Sequence, residues 1–175
     1  MSAGKLRVVF VCVGNACRSQ MAEAFARVNG GSVLEPASAG LAPAVAIPAE
    51  THTVMQEKGI GLDNQTPKPL AVTDFERFDL IVNISGAPLP PAWSARVREW
   101  KVPDPIGMSL RFHREVRDQI EALVQGLILQ ARNVAASVQT APVRRESPPD
   151  PPRPPAAPPP GGPVRQRTRP KLLRG

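Results

Sequence analysis

Val8-Val9-Phe10-Val11-Cys12-Val13-Gly14-Asn15-Ala16-Cys17-Arg18-Ser19-Gln20-Met21-Ala22-Glu23-Ala24-Phe25 decides the fold of this chain. Val8 to Val11 is a short run of β-branched and aromatic residues, apolar at every position. A strand covered on both faces reads this way, and such strands belong to parallel sheets. Gly14 and Asn15 tolerate positive φ at low cost. From about Arg18 the apolar period becomes helical, with Met21, Ala22, Phe25 and Val28 on one stripe. The reading is strand, tight loop, helix, with the loop at the carboxyl end of a strand, where open α/β sheets bind ligands.

The loop carries chemistry. Cys12 and Arg18 are separated by five residues. Backbone amides from Val13, Gly14, Asn15, Ala16 and Cys17 can converge on one concavity, reinforced by the positive end of the following helix. Cys12 lies at the base of that concavity, and the same field favours its thiolate. Arg18 presents a planar fork that matches two oxygens of a phosphate-like anion. Ser19 can donate its hydroxyl to the thiolate and steady it as a leaving group.

These residues resemble the low-molecular-weight protein tyrosine phosphatase family, whose Cys-x5-Arg-Ser motif is met by Cys12, Arg18 and Ser19. Asn15 matches the residue that braces that family's loop. Gln20-Met21-Ala22-Glu23 is more similar to the arsenate reductase branch of the same superfamily, because the phosphatase branch usually has Pro where Gln20 stands. The resemblance covers about residues 6–137. It implies a three-layer, flavodoxin-like α/β fold, with a four-stranded parallel sheet in the order 2-1-3-4 and helices on both faces.

Charge is unevenly distributed. Residues 1–140 hold 14 basic and 13 acidic side chains, whereas residues 141–175 hold 8 basic and 2 acidic ones. The expected organisation is therefore a nearly neutral catalytic domain, 1–140, followed by a basic tail, 141–175. Twelve prolines and scarce apolar residues in the tail predict disorder with polyproline II character. A solubilising role is the simplest reading. Docking of its Pro-rich turns to a partner, or contact of Arg165, Arg167, Arg169, Lys171 and Arg174 with an anionic surface, are the sharper ones. The tail has no aromatic residue for base stacking, so nucleic-acid recognition is not expected. Both cysteines, Cys12 and Cys17, lie in the loop, which suits a reducing, cytoplasmic setting rather than a disulfide framework. No run approaches the roughly 20 apolar residues of a membrane span.

Downstream, Gly30-Gly31 ends the first helix and Val33–Ser38 is a second strand weakened by Pro36. Ser38-Ala39-Gly40 matches the family's entry into a loop that walls the site. Here that loop, Leu41 to Ala46, has no aromatic ring to grip a phosphotyrosine. Pro48 opens a helix reaching about Lys58, and Leu70–Phe78 is at most a short helix. Leu80, Ile81, Val82 and Ile84 mark another buried strand, Asp79–Ser85, closed by Ser85-Gly86-Ala87-Pro88. The arsenate reductases of the resembled group often place relay cysteines at this strand end. Ser85 and the segment Leu89–Trp93 offer none. Val97–Val102 reads as the last strand.

Asp104 stands between Pro103 and Pro105, which hold it stiffly. In the resembled family an Asp-Pro at this place is the general acid, a role the resemblance carries to Asp104. From Ser109, a natural N-cap, a helix runs to about Ser137, with Val116, Ile120, Leu123, Val124, Leu127 and Ile128 inward and Arg111, Arg114, Arg117 and Asp118 mainly elsewhere. His113 is expected among the solvated charges, and His52 to be a surface or packing histidine.

The catalytic set expected is thus Cys12, Arg18 and Asp104, with Val13, Gly14, Asn15, Ala16, Cys17 and Ser19 lining the anion site. No cofactor is required, and no cluster has metal-ligand spacing. The leading expectation is hydrolysis of a phosphate monoester through a cysteinyl-phosphate. Arsenate reduction with an external thiol reductant is the alternative, and a non-catalytic phosphate-binding module a third. Oxidants are expected to join Cys12 to Cys17.

Overall fold

The computed structural model describes residues 4–71 and 76–140, without the side chains of 138–140. The expectations for the tail lie outside these residues, as do residues 72–75 of the short helix expected over 70–78.

Four strands form one sheet. They are β1 (Leu6–Cys12), β2 (Leu34–Gly40), β3 (Leu80–Asn83) and β4 (Val97–Glu99). The order is β2-β1-β3-β4 and every pairing is parallel. β1 is central, which explains its continuous apolar run: Val8 to Val11 are all buried. β2 is an edge strand, and an edge is where the missing N–H of Pro36 is tolerated.

The two faces of β1 divide the core. Val8, Phe10 and Cys12 face a cluster built from α1 (Arg18–Gly30), α2 (Ala49–Gln56) and α3 (Leu110–Thr140). Met21, Phe25, Met55, Ile120, Val124 and Ile128 interlock there, all essentially inaccessible to solvent. Burying each such side chain contributes about 1.5–3 kcal/mol. Val9 and Val11 face the other way, with Ile81 and Ala39, under Leu70, Phe78, Leu89 and Trp93. The 3-10 helix Pro91–Arg96 carries Trp93 on that side.

Two expectations on α3 are corrected. His113 is buried, not solvated, and Arg117 is buried as well. Positions 113, 117, 120, 124 and 128 recur at the helical period, so both residues belong to the inward stripe. His113 Nδ1 lies 3.1 Å from the Ser109 carbonyl, which can only accept, so Nδ1 carries the proton. Arg117 donates to the Val54 carbonyl at 2.8 Å and to Glu57 at 2.7 Å, tying α3 to the end of α2. Arg114 also grips Glu57. Together they hold the Glu57 carboxyl well below its ordinary range, at about 2, with the Arg114 hydrogen bond the largest cause.

The remaining differences are local. Pro48 sits at the N-cap of α2 rather than inside it. β4 stops at Glu99, and the long helix runs on to Thr140. The helix end at Gly30-Gly31 uses no left-handed cap, since Gly31 has φ −58°.

Candidate active site

β1 delivers Cys12 to the carboxyl edge of the sheet and α1 begins at Arg18, so the loop between them turns within five residues. Asn15 takes the left-handed conformation, φ 47°, whereas Gly14 does not use its freedom. Asn15 can do so because its side chain is pinned on both ends. Its Oδ1 accepts from the Lys68 N–H at 2.9 Å, and its Nδ2 donates to Ser19 Oγ at 2.8 Å. Ser19 Oγ, having accepted that bond, lies 2.9 Å from Cys12 Sγ with its own proton free to donate.

The loop's carbonyls are tied outward. Cys12 O accepts from the Leu41 N–H at 3.1 Å, Val13 O from Ala42 at 2.9 Å, and Gly14 O from Ala44 at 2.8 Å. Peptide groups are planar and trans, so each tied carbonyl aims the next N–H the opposite way. The amides of Val13, Gly14 and Asn15 therefore point away from the 41–44 segment. The end of β2 must press close for this. A Cβ on Gly40 would fall 2.9 Å from Asn15 Cβ, Asn15 N and Val13 O. Glycine is required there by approach.

α1 has no side-chain cap at its N-terminus. Its first-turn N–H groups are left for an anion, and the helix dipole adds to them. Arg18 is 5% exposed. One terminal nitrogen donates to the carbonyls of Ile84 (2.9 Å) and Val102 (3.2 Å), and the other meets Asp104 Oδ2 at 2.5 Å. Arg18 Nε is buried with no partner. A buried unpaired donor costs about 1–3 kcal/mol, and here it belongs to the residue whose fork suits an oxyanion. Asp104 Oδ1 accepts from the Ile106 N–H at 3.2 Å, and the Asp104 side chain is 45% exposed.

Cys12, Gly14, Ala16, Cys17, Arg18, Asp104 and Ile106 enclose a cavity of only ≈ 20 Å³. That is room for about one water. The paired Arg18 and Asp104 form part of its wall. A larger cavity of ≈ 590 Å³ opens at the amino ends of β1 and β3, beside Leu6, Leu80 and Arg98, at the opposite edge of the sheet from Cys12.

Cys17, at the N-cap, is buried and accepts a hydrogen bond from the Thr51 hydroxyl at 3.1 Å. Burial is the main cause that pushes its thiol up to about 11; the Thr51 bond acts the other way.

The structure thus brings together Cys12, Val13, Gly14, Asn15, Ala16, Cys17, Arg18, Ser19 and Asp104. His52 does not join them; it lines a separate cavity with Gln56 and Leu62. Ser85 also stands apart, as a turn residue donating to Asn83 Oδ1 at 2.6 Å. Thr51 and Gln65 escaped the sequence reading, and the buried Glu23, which pairs with Ser38, Arg27 and Lys68, was seen only within the Gln20 to Glu23 signature. Gln20 was visible only as part of a signature. Of their contacts, the Glu23–Arg27 pair, four residues apart on α1, is the one a local pattern announces.

The family described as low molecular weight phosphotyrosine protein phosphatase matches residues 7–140, and the chain belongs to it. A curated relative, the "Glutaredoxin arsenate reductase" of Synechocystis sp., is 36% identical over 126 residues, covering 70% of this chain and 95% of that protein. A solved structure described as an arsenate reductase in the phosphate binding state is 34% identical with a TM-score of 0.67, covering 72% of this chain and 98% of that one. A low molecular weight protein tyrosine phosphatase from T. tengcongensis is 26% identical with a TM-score of 0.66, covering 72% and 99%. The chain is accordingly a cysteine-dependent enzyme of this phosphatase and arsenate reductase family. No helix among the described residues is long and apolar enough to cross a membrane.

Proposed function

We propose that the chain hydrolyses phosphate monoesters through a cysteinyl-phosphate on Cys12. The observation that carries this is the Asp104 carboxylate, 2.5 Å from Arg18 at the mouth of the Cys12 loop. An incoming phosphate displaces Asp104 from Arg18, and its equatorial oxygens take the loop amides and the free Arg18 Nε. Cys12 Sγ attacks phosphorus as the ester P–O bond breaks. Asp104, in its acid form, protonates the leaving oxygen. It then takes a proton from water, which attacks phosphorus and releases phosphate and the Cys12 thiolate. Ser19 steadies that thiolate through the contact at 2.9 Å. This cycle needs no second thiol. The one the chain has beside Cys12 is a poor nucleophile near neutral pH, its thiol being pushed up to about 11.

A second reading is arsenate reduction, supported by the names of the relatives at 34–36% identity and by Gln20 to Glu23. Arsenate presents the same tetrahedral oxygens. Cys12 forms the arsenic–sulfur adduct with loss of water. An external thiol then attacks Cys12 Sγ, the arsenic–sulfur pair passes to arsenic, and arsenite leaves behind a mixed disulfide that a second thiol reduces.

The test is turnover of para-nitrophenyl phosphate, run beside arsenite formation from arsenate with glutathione and a glutaredoxin, each against Cys12→Ser. Ester turnover abolished by the substitution, with little arsenite, supports hydrolysis. Arsenite formation with negligible ester turnover overturns it in favour of the reductase. Unchanged phosphate binding with neither reaction would leave a binding module.

A further inference from the structure

The loop's fourth outward carbonyl differs from the other three. Those of Cys12, Val13 and Gly14 are held by backbone amides of the 41–44 segment. The Asn15 carbonyl is held by a side chain, Gln20 Nε2, at 2.9 Å. The Asn15–Ala16 peptide follows a left-handed residue, so its plane is not fixed by regular structure. By the planar trans geometry, tying Asn15 O on the protein side turns the Ala16 N–H the other way. Ala16 lines the cavity at Cys12.

Gln20 is fully buried, and its amide can serve this purpose in one orientation only. Its NH2 faces three acceptors: Asn15 O, Asn15 Oδ1 at 3.1 Å and Thr66 O at 3.1 Å. Its Oε1 faces the NH2 of Gln65, 2.5 Å away. Gln65 Nε2 also reaches the Gln20 carbonyl at 3.2 Å. A flipped Gln20 would set oxygen against three oxygens and nitrogen against a donor. The donors then run in one sense, from Gln65 to Gln20 to Asn15 to Ser19, ending on Cys12. Such a chain polarises cooperatively in a dry interior.

We propose that Gln20, oriented by Gln65, is a positioning residue that fixes the Asn15–Ala16 peptide so that the Ala16 N–H faces the bound oxyanion. It rests on the oxyanion-binding reading of the loop and is indifferent to whether that anion is hydrolysed or reduced. It separates two roles that a single loosening of the loop would merge. Asn15 Oδ1 keeps the Lys68 N–H when Gln20 is lost, at 2.9 Å. The Asn15 side chain therefore still holds Ser19, and Ser19 still serves Cys12. What Gln20 adds is anion affinity.

The experiment uses the full chain and inorganic phosphate. Phosphate protection of Cys12 against iodoacetamide gives the dissociation constant, with the modified peptide identified by mass spectrometry. The alkylation rate without phosphate is followed against pH. Gln20→Met should weaken phosphate binding about tenfold, the upper end of what one net hydrogen bond contributes. Its pH profile of alkylation should match the wild type. Gln65→Met, which leaves the Gln20 amide facing its three acceptors but removes the donor to its Oε1, should weaken binding about threefold, the scale of one net hydrogen bond. Unchanged phosphate affinity in folded Gln20→Met overturns the proposal. So does a loss of affinity accompanied by an equal disturbance of the alkylation profile, the mark of a loop that has merely loosened. If Gln20→Met does not fold, Gln65→Met decides on the same terms. A wild type that phosphate does not protect would sink the oxyanion reading itself, and the inference with it.

Discussion

Replacing Asp104 by Asn removes one proton carrier and little else. The amide oxygen can still accept from Arg18, which keeps its bonds to Ile84 and Val102. The Asp104 side chain is 45% exposed, so the charge it gives up is partly solvated already. Folding should therefore be nearly unchanged. General acid catalysis is typically worth about 10²–10⁴ in rate, which at 1.36 kcal/mol per tenfold is roughly 3–5 kcal/mol of barrier. That loss depends on the leaving group. A phenolate as stable as para-nitrophenolate departs with little help, whereas an alkoxide cannot leave unprotonated. In steady-state assays Asp104→Asn should thus lose about 10² on para-nitrophenyl phosphate and about 10⁴ on an alkyl phosphate. The acid limb of its kcat/KM profile should also change. Equal losses on both substrates would refute the acid role and leave Asp104 as no more than the lid on Arg18.

Gly40→Ala places a methyl 2.9 Å from Asn15 and Val13 backbone atoms, so urea unfolding should show a loss of about 1–3 kcal/mol together with weaker phosphate binding. Peroxide should convert Cys12 and Cys17 to an intramolecular disulfide, faster as pH rises toward the Cys17 value of about 11; a Cys12 that runs on to the sulfinic acid instead refutes it. Glu57 titrates from about 2 in the folded chain against an ordinary 4.5, so its pairing stabilises fully above about pH 4.5 and is lost as pH falls toward 2. Acid unfolding of Glu57→Gln should lack that part of the slope.

The strand–loop–helix was legible because the apolar period changes within a few residues, from a continuous run ending at Cys12 to a helical stripe containing Met21 and Phe25. Asp104 was singled out through the family resemblance, which makes an Asp-Pro at this place the general acid; its two flanking prolines say only that it is held stiffly. Asn15 showed its turn chemistry, though Gly14 suggested a freedom the loop does not use. His113 and Arg117 were misread because their polarity outweighed their spacing, although that spacing puts both on the buried stripe. Thr51, Gln65 and Lys68 were not legible at all. Their partners Cys17, Gln20 and Asn15 lie 34, 45 and 53 residues away in sequence. The reaction itself was only partly legible, since phosphate and arsenate share one tetrahedral geometry and a loop built for one accepts the other.

The most direct measurement of the account is rapid-quench mass spectrometry of the peptide carrying Cys12 during turnover of para-nitrophenyl phosphate. The account predicts a phosphoryl group on Cys12 that accumulates when Asp104→Asn slows its hydrolysis and is absent from Cys12→Ser. A Cys12 that stays unmodified through many turnovers, or a phosphoryl group found elsewhere in the chain, would contradict it.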